Sequence, residues 1–431
     1  MKRVLFVSYF FYPDNAIGAV RSTKILKYLS KSHNFSCDVL TIENDAIKDY
    51  FDANQVYYTN KFVIKTKSKN LGKISIQKKQ NFSEFKKNSI KLKNIKSKLR
   101  KIKNFLNQYI IFYKSKKTIK KMDIMCYDAI FSTYGPSVNH LIGRFVKKLH
   151  KNIIWIADFR DPVYVPQISL KILKNYEEKY ANRVCRMANY ITVVSKGYSK
   201  ALKIENTEKL RIIYNGFDKD DILDINTEKF QKFTISYFGN LYEGMRDLTP
   251  VIQSINELVS DAHINIDDIQ FLYAGNSACV LYNQLKQYGM ESLIQNKGYV
   301  SKAESLEMQK RSHILLLPTW NQVNYEGVIP GKFYEYLISE VPIVAVVVGN
   351  KANSEISELI YRTNSGICYE AANHENDYKI LKNTILKYYK AFLNNSTSAP
   401  KLHVSEIEKF NYSNISREVY SLINQSVKKK L

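Results

Sequence analysis

Residues Phe233–Pro250, FTISYFGNLYEGMRDLTP, read as a strand that runs apolar to Phe238, stops on Gly239 and passes through a polar loop into a helix. A glycine at a strand end lets the chain turn sharply and lets a ligand approach the backbone. Outward from this stretch the same pattern recurs. A first set of β-branched and aromatic runs comprises RVLFVSYFF, CDVLTI, DAIFSTYG, NIIWIADF, YITVVS and LRIIYNG. A second comprises FTISYFGN, IQFLYAG, LIQNKGYV, HILLLPT and VPIVAVVV. Near-continuous apolar strands alternating with helical patterns indicate parallel sheets covered on both faces. The two sets predict an α/β chain of two Rossmann-like, doubly wound domains. Ligands are expected beyond the carboxyl ends of the strands, in a cleft between facing domains.

The expected boundaries are residues 1–218 for the first domain, with a basic helical insertion at about 61–121, and 219–405 for the second. Residues 406–431 read as a C-terminal helix packing back towards the first domain, and the polar stretch Lys219–Lys232 as the linker. A chain of 431 residues with 45% hydrophobic content can build such cores, and 32 Tyr with 21 Phe exclude a disordered or fibrous protein. Five scattered cysteines without a C-x-x-C give neither a zinc site nor a disulfide framework, so a reducing cytoplasm is the expected location. The opening MKRVLFVSYFFYPDNA reads as a buried first strand rather than a signal peptide. Its apolar run stops at Pro13-Asp14 without a small-residue cleavage site. No apolar run reaches the roughly 18 residues a membrane span needs.

The net charge of +25 is concentrated. Lys61 to Lys121 holds 21 Lys and Arg against one acid, Glu84, and so carries +20 of the total. Within it Leu92, Ile95, Leu99, Ile102, Leu106, Tyr109 and Tyr113 recur at three- and four-residue steps with lysines between them, an amphipathic basic helix. Three readings stay open: a solvated helix packed on its own domain, a helix lying on an anionic membrane surface, and a nucleic-acid face. The last is disfavoured because no nucleic-acid module accompanies it.

Some motifs fail. Asp218-Lys219-Asp220 lies in the linker rather than at a strand end, so no metal is expected there. GVIPGKF has one residue too few for a phosphate loop and Phe333 where Ser or Thr should follow the lysine. Neither G-x-G-x-x-G after the first strand nor G-x-S-x-G occurs. Others hold. Arg246, just before the helix LTPVIQSINELV, is placed to meet a phosphate at that helix start, with a plain surface arginine as the alternative. Lys332 and Glu335 in VIPGKFYEYL share a helix face, suiting a diphosphate and a ribose diol, or else only pairing with each other. Gly18 and Arg21 stand at a helix start after the first strand. Asp158, Arg160 and Asp161 form a strand-end cluster that is either catalytic or a structural network.

Together these pieces resemble the retaining nucleotide-sugar glycosyltransferases of family 4, which have the GT-B fold, and within them the bacterial surface-polysaccharide branch. The resemblance covers most of the chain outside the basic insertion. It rests on SYFFYPDNAIGAVRSTKILKYL, FSTYGPSVNHLIG, WIADFRDPV, ITVVSKGY, IIYNGFD, FGNLYEGMRDLTP, GYVSKAESLEMQKRSHILLLPT and PGKFYEYLISEVPIVA. It implies that the second domain holds a nucleotide-sugar, expected to be UDP-linked, without a cofactor or bound metal. By that resemblance Arg246 is the phosphate-binding residue after Gly239. Asn240 stands where relatives often carry a base, which leaves Lys332 as a substitute. Glu335 matches the second glutamate of an E-x7-E pattern and is implied to hold the ribose. Tyr299 and Val300 border the base through their backbone, Gly18 and Arg21 face donor and acceptor, and His140 occupies a position where relatives also carry histidine. Glu326 lies nine residues before Glu335 where the pattern requires eight. A one-residue insertion would still deliver its carboxylate to the sugar, and a surface acid is the alternative.

The implied acceptor is a lipid-linked or oligosaccharide chain in capsule, O-antigen or exopolysaccharide synthesis, with the enzyme peripheral on the inner face of the plasma membrane. Two alternatives are carried beside the transferase. One is an enzyme like the UDP-N-acetylglucosamine 2-epimerases, with a single substrate. The other is a non-catalytic polyanion- or membrane-binding protein of the same fold.

Overall fold

The computed structural model describes residues 1–12, 17–42, 55–59, 87–163, 173–202, 204, 206–221, 227–242, 245–396 and 399–428. Residues 17, 42, 55–59, 87–99, 101 and 426–428 are described by backbone alone. The expectations for residues 61–86 and for the side chains of Leu92, Ile95 and Leu99 lie outside this set, as does the middle of the expected linker.

The first sheet contains β1 (Arg3–Val7), β2 (Ser36–Ile42), β3 (Gln55–Thr59), β4 (Ala129–Thr133), β5 (Ile154–Phe159), β6 (Tyr190–Val193) and β7 (Leu210–Ile212). Its order is β3-β2-β1-β4-β5-β6-β7. The second contains β8 (Phe233–Phe238), β9 (Ile269–Ala274), β10 (Ile294–Gly298), β11 (Ile314–Trp320), β12 (Ile343–Val348) and β13 (Gly366–Glu370), ordered β10-β9-β8-β11-β12-β13. Both orders follow the Rossmann sequence of strands, reversing direction beside the first strand of each set. The reversal points lie between β1 and β4 and between β8 and β11, whose pairings are parallel.

The central strands owe their places to composition. Every residue of β4, β5, β8 and β11 is buried, which calls for mostly apolar side chains on both faces, with hydrogen-bonded exceptions such as Ser132, Asp158 and Ser236. The chain divides into two compact units: Met1–Thr192 with Ile204–Lys209 and Leu422–Leu431, and Val193–Lys203 with Leu210–Ser421. In the first unit, Lys2 Nζ donates to Asn424 Oδ1 at 2.5 Å and to the Ile423 carbonyl at 3.3 Å. In the second, Phe410 packs in the core and its carbonyl accepts the Phe217 N–H at 2.9 Å. The last helix runs Tyr412–Lys428, preceded by a short helical turn at Val404–Ile407.

Two features shorten the contact between the central strands of the second sheet. β11 pairs with β8 only at Ile314 and Leu315, although it pairs with β12 over six residues. Pro318, further along β11, has no N–H to extend a ladder. The two central strands therefore stop bonding well before their carboxyl ends, at the reversal point.

Candidate active site

The loop after β8 is built around Arg246. A Cβ on Gly239 would lie 2.9 Å from Tyr237 Oη, so the turn requires glycine. Asn240 Oδ1 accepts the Tyr242 N–H at 2.6 Å and the Ser277 hydroxyl at 2.8 Å, so this side chain is spent on shaping the loop. Arg246 Nη1 donates to the Asn240 carbonyl at 3.0 Å and to Tyr237 Oη at 2.9 Å. Burial pushes the Tyr237 phenol up to about 12 against the pull of Arg246, so it stays neutral and donates in turn to the Asn240 carbonyl at 2.9 Å. The guanidinium carbon sits 4.6 Å from the ring centroid of Tyr242 and 5.6 Å from that of Trp320, the last residue of β11. These contacts fix a cationic plane at the reversal point of the sheet. Among the described residues its buried Nε has no hydrogen-bond partner. A buried N–H of a cation without an acceptor is costly unless a ligand oxygen takes it.

The helix Gly331–Leu337 carries the second group. It buries Phe333, Tyr334, Tyr336 and Leu337, and Tyr336 Oη accepts the Phe238 N–H at 3.3 Å, which docks it beside the end of β8. Lys332 and Glu335 do pair, Nζ to Oε1 at 2.7 Å, and Gln309 Nε2 donates to the same oxygen at 2.5 Å. The pair is partly buried rather than freely solvated, and among the described residues Glu335 Oε2 carries no hydrogen bond. One oxygen is thus anchored by two donors and the other by none among the described residues.

Glu326 lies in the loop between β11 and this helix. Its Oε2 accepts Lys351 Nζ at 2.6 Å and Lys200 Nζ at 3.3 Å. Burial works against the charge, but the two lysines win and hold the carboxyl below its ordinary value. Gly327 at φ +77° lies against Gly197, so closely that a Cβ would come within 2.6 Å of the Gly197 Cα. Trp320 and Tyr325 rings, 5.8 Å apart, connect this loop to the Arg246 side chain. Tyr299 follows edge strand β10 and is 82% exposed, and Val300 is partly buried against the core.

In the first unit the expected residues divide. Gly18 and Arg160 meet: a Cβ on Gly18 would fall on the guanidinium, which donates to Thr133 Oγ1 at 2.7 Å and to the Gly135 carbonyl at 2.9 Å. Asp161 is exposed beside Gly135. Arg21 is placed differently from the expectation that it faces donor and acceptor. It is fully buried and forks onto Asp158 at 2.9–3.3 Å. Asp158 also accepts Thr133 and Thr192 hydroxyls. Burial raises its carboxyl, but Arg21 and these bonds bring it below its ordinary value. The strand-end cluster is, at Asp158 and Arg21, a structural network.

His140 corrects the catalytic expectation. It is fully buried among Tyr134, Trp155 and Phe159, with Nδ1 2.8 Å from Ser132 Oγ, and desolvation lowers it to about 3. The ring is neutral and fully buried, and among the described residues its Nε2 has no hydrogen-bond partner.

Tyr237, Tyr242, Trp320, Lys200, Lys351 and Gln309 escaped the sequence reading. Trp320 ends β11 and Lys351 lies just after β12, so attention to strand ends would have found them; Lys200 and Gln309 lie on helices and carry no local signal. Among the described residues no group of three or more His, Cys, Asp or Glu side chains is placed to hold a metal ion.

Neither a protein-family description nor a curated protein matches the sequence. Solved structures do match its fold. Sucrose-phosphate synthase from Thermosynechococcus elongatus superposes with a TM-score of 0.63 over 100% of both chains at 11% identity. A mutant of S. aureus TarM, solved with fondaparinux, alpha-GlcNAc-glycerol and UDP, gives 0.56 at 12% identity over 98% of this chain and 100% of its own. A protein assigned as UDP-N-acetylglucosamine 2-epimerase from Listeria monocytogenes gives 0.54 at 11% identity over 100% and 98%. What this chain shares with them is the architecture: it has the GT-B fold, two Rossmann-like α/β domains.

Proposed function

We propose that the protein is a glycosyltransferase that moves a sugar from a nucleotide-sugar, UDP-linked, to a lipid-linked or oligosaccharide acceptor of a bacterial surface polysaccharide, with retention at the anomeric carbon. The carrying observation is Arg246, a cation clamped by Tyr242, Trp320 and Tyr237 with a buried N–H that lacks an acceptor among the described residues. Cleaving a sugar–diphosphate bond builds negative charge on the leaving oxygens, and preorganised cations placed there stabilise the transition state more than the ground state. In this reading Arg246 and Lys332 take the diphosphate, Glu335 Oε2 accepts from the ribose hydroxyls, and ionised Glu326 faces the sugar. The TarM structure with UDP supports the choice of base by analogy of fold.

The test is a thermal-shift panel of UDP-, GDP- and ADP-sugars, followed by calorimetry on Arg246→Ala. A UDP-sugar should stabilise the wild type, and the variant should lose about 2 kcal/mol, or roughly thirty-fold, in binding UDP. No shift with any nucleotide-sugar overturns the reading. The fold likeness to the Listeria protein favours an epimerase as the second reading. It predicts conversion of UDP-N-acetylglucosamine alone to its C2 epimer, visible by proton NMR, whereas a transferase releases UDP only when an acceptor is supplied.

A further inference from the structure

The helix Lys87–Ile119 has 33 residues, a length of roughly 50 Å, with eleven Lys and Arg and no acidic residue. One face is committed to the protein. Ile111, Ser115 and Ile119 are buried, Phe105 and Tyr109 pack on Tyr176, and Phe112 packs on Phe145. The opposite face is not apolar by accident of one residue. Ile102, Leu106, Ile110 and Tyr113 are 42%, 56%, 41% and 64% exposed, and their spacing of four, four and three puts them on a single stripe. Exposed Lys103, Lys117 and Lys120 border or interrupt that stripe. Lys116 covers its base, with Nζ 4.8 Å from the Tyr113 ring centroid.

We infer that this face docks on the surface of an anionic lipid bilayer, with Ile102, Leu106, Ile110 and Tyr113 entering the acyl boundary and the lysines lying among the headgroups. The two halves of the observation select this partner together. An acid-free cationic helix is attracted to any polyanion, each basic residue near an anionic membrane adding about five-fold to the binding constant. A nucleic-acid backbone, however, gains little from aliphatic side chains, while a bilayer takes them up in proportion to the apolar area buried. The exposed stripe is therefore the discriminating feature, and the docking stands whether or not sugar transfer does.

The full chain is sedimented with vesicles of phosphatidylcholine, with and without phosphatidylglycerol, at physiological salt. The wild type should bind the anionic vesicles at least about ten-fold more tightly than the neutral ones. The variant Ile102→Ser, Leu106→Ser, Ile110→Ser and Tyr113→Ser should lose at least about ten-fold on anionic vesicles while binding a short DNA duplex as before. A second variant, Tyr113→Trp, should shift its emission to the blue on those vesicles. It reads the surface without altering the packed face. Wild-type sedimentation by the fourfold variant, or an unshifted Tyr113→Trp emission on bound vesicles, overturns the inference. Tighter binding to the duplex than to anionic vesicles, with the fourfold variant unaffected on both, assigns the face to nucleic acid and also overturns it.

Discussion

At the scale of single residues, the two glutamates of the segment after β11 differ in what holds them. Glu335 is tied to its own helix by Lys332 and across to Gln309, and its second oxygen has no hydrogen bond among the described residues. Glu326 is tied by lysines from two other elements, Lys200 and Lys351, which sequence spacing does not connect to it. Its charge is thereby assured well below neutrality, so it suits stabilising positive charge rather than donating a proton. If it faces the sugar, Glu326→Gln should lower kcat by about a hundred-fold with KM nearly unchanged. Lys351→Met should move the acid limb of the pH–rate profile upward, because a carboxylate that loses a cation is protonated more readily. Full activity in Glu326→Gln would reduce Glu326 to a structural acid. Arg21 shows the converse: an arginine in an expected site position that burial and Asp158 have claimed for the core, where pairing is obligatory.

At the scale of elements, the loop from Asn321 to Pro330 decides where Glu326 points. Asn321 Nδ2 donates to the Lys351 carbonyl at 2.8 Å, and Gly327 lies against Gly197 and Ser195 Oγ. Gly327→Ala adds a Cβ at positive φ into that contact, at a cost of about 1–3 kcal/mol. Kinetics should show a lowered kcat, since relieving the clash displaces Glu326, while a shift of the urea midpoint gives the cost itself. Eleven of the thirteen strands among the described residues were legible in the sequence. The two missed, β3 and β13, are sheet edges. β13 is only partly buried over its first three residues and so needs no unbroken apolar pattern. The basic helix was legible too, but which of its faces packs inward was not.

At the scale of the whole molecule, two buried histidines should contribute to the acid side of stability. Desolvation lowers His140 to about 3; it also lowers His313 to about 4, aided by Lys229. Both remain neutral in the fold while their unfolded counterparts take up protons below about 6.5. Their contribution is complete above that pH and should be lost at about 1.4 kcal/mol per pH unit per histidine as pH falls from 6 towards 4. Glu177, raised to about 7 by burial, acts in the opposite sense above its ordinary value, though its half-exposed position weakens it. Urea midpoints measured from pH 7 to 4 should therefore decline, and His140→Asn should flatten the decline by close to one proton's slope; an identical slope removes His140 as its source. Asp158 adds to acid loss only below its ordinary value of 3.8.

The sequence by itself determined the two-sheet α/β architecture, because strands buried on both faces are mostly apolar and that pattern survives without coordinates. It also determined which glycine, arginine and lysine follow the strands of the second sheet. Only the tertiary structure decided which charged groups meet: Arg246 with Tyr242 and Trp320, Glu326 with Lys200 and Lys351, Arg21 with Asp158, and His140 with nothing but core. Burial and pairing depend on residues distant in the chain, and no local spacing encodes them.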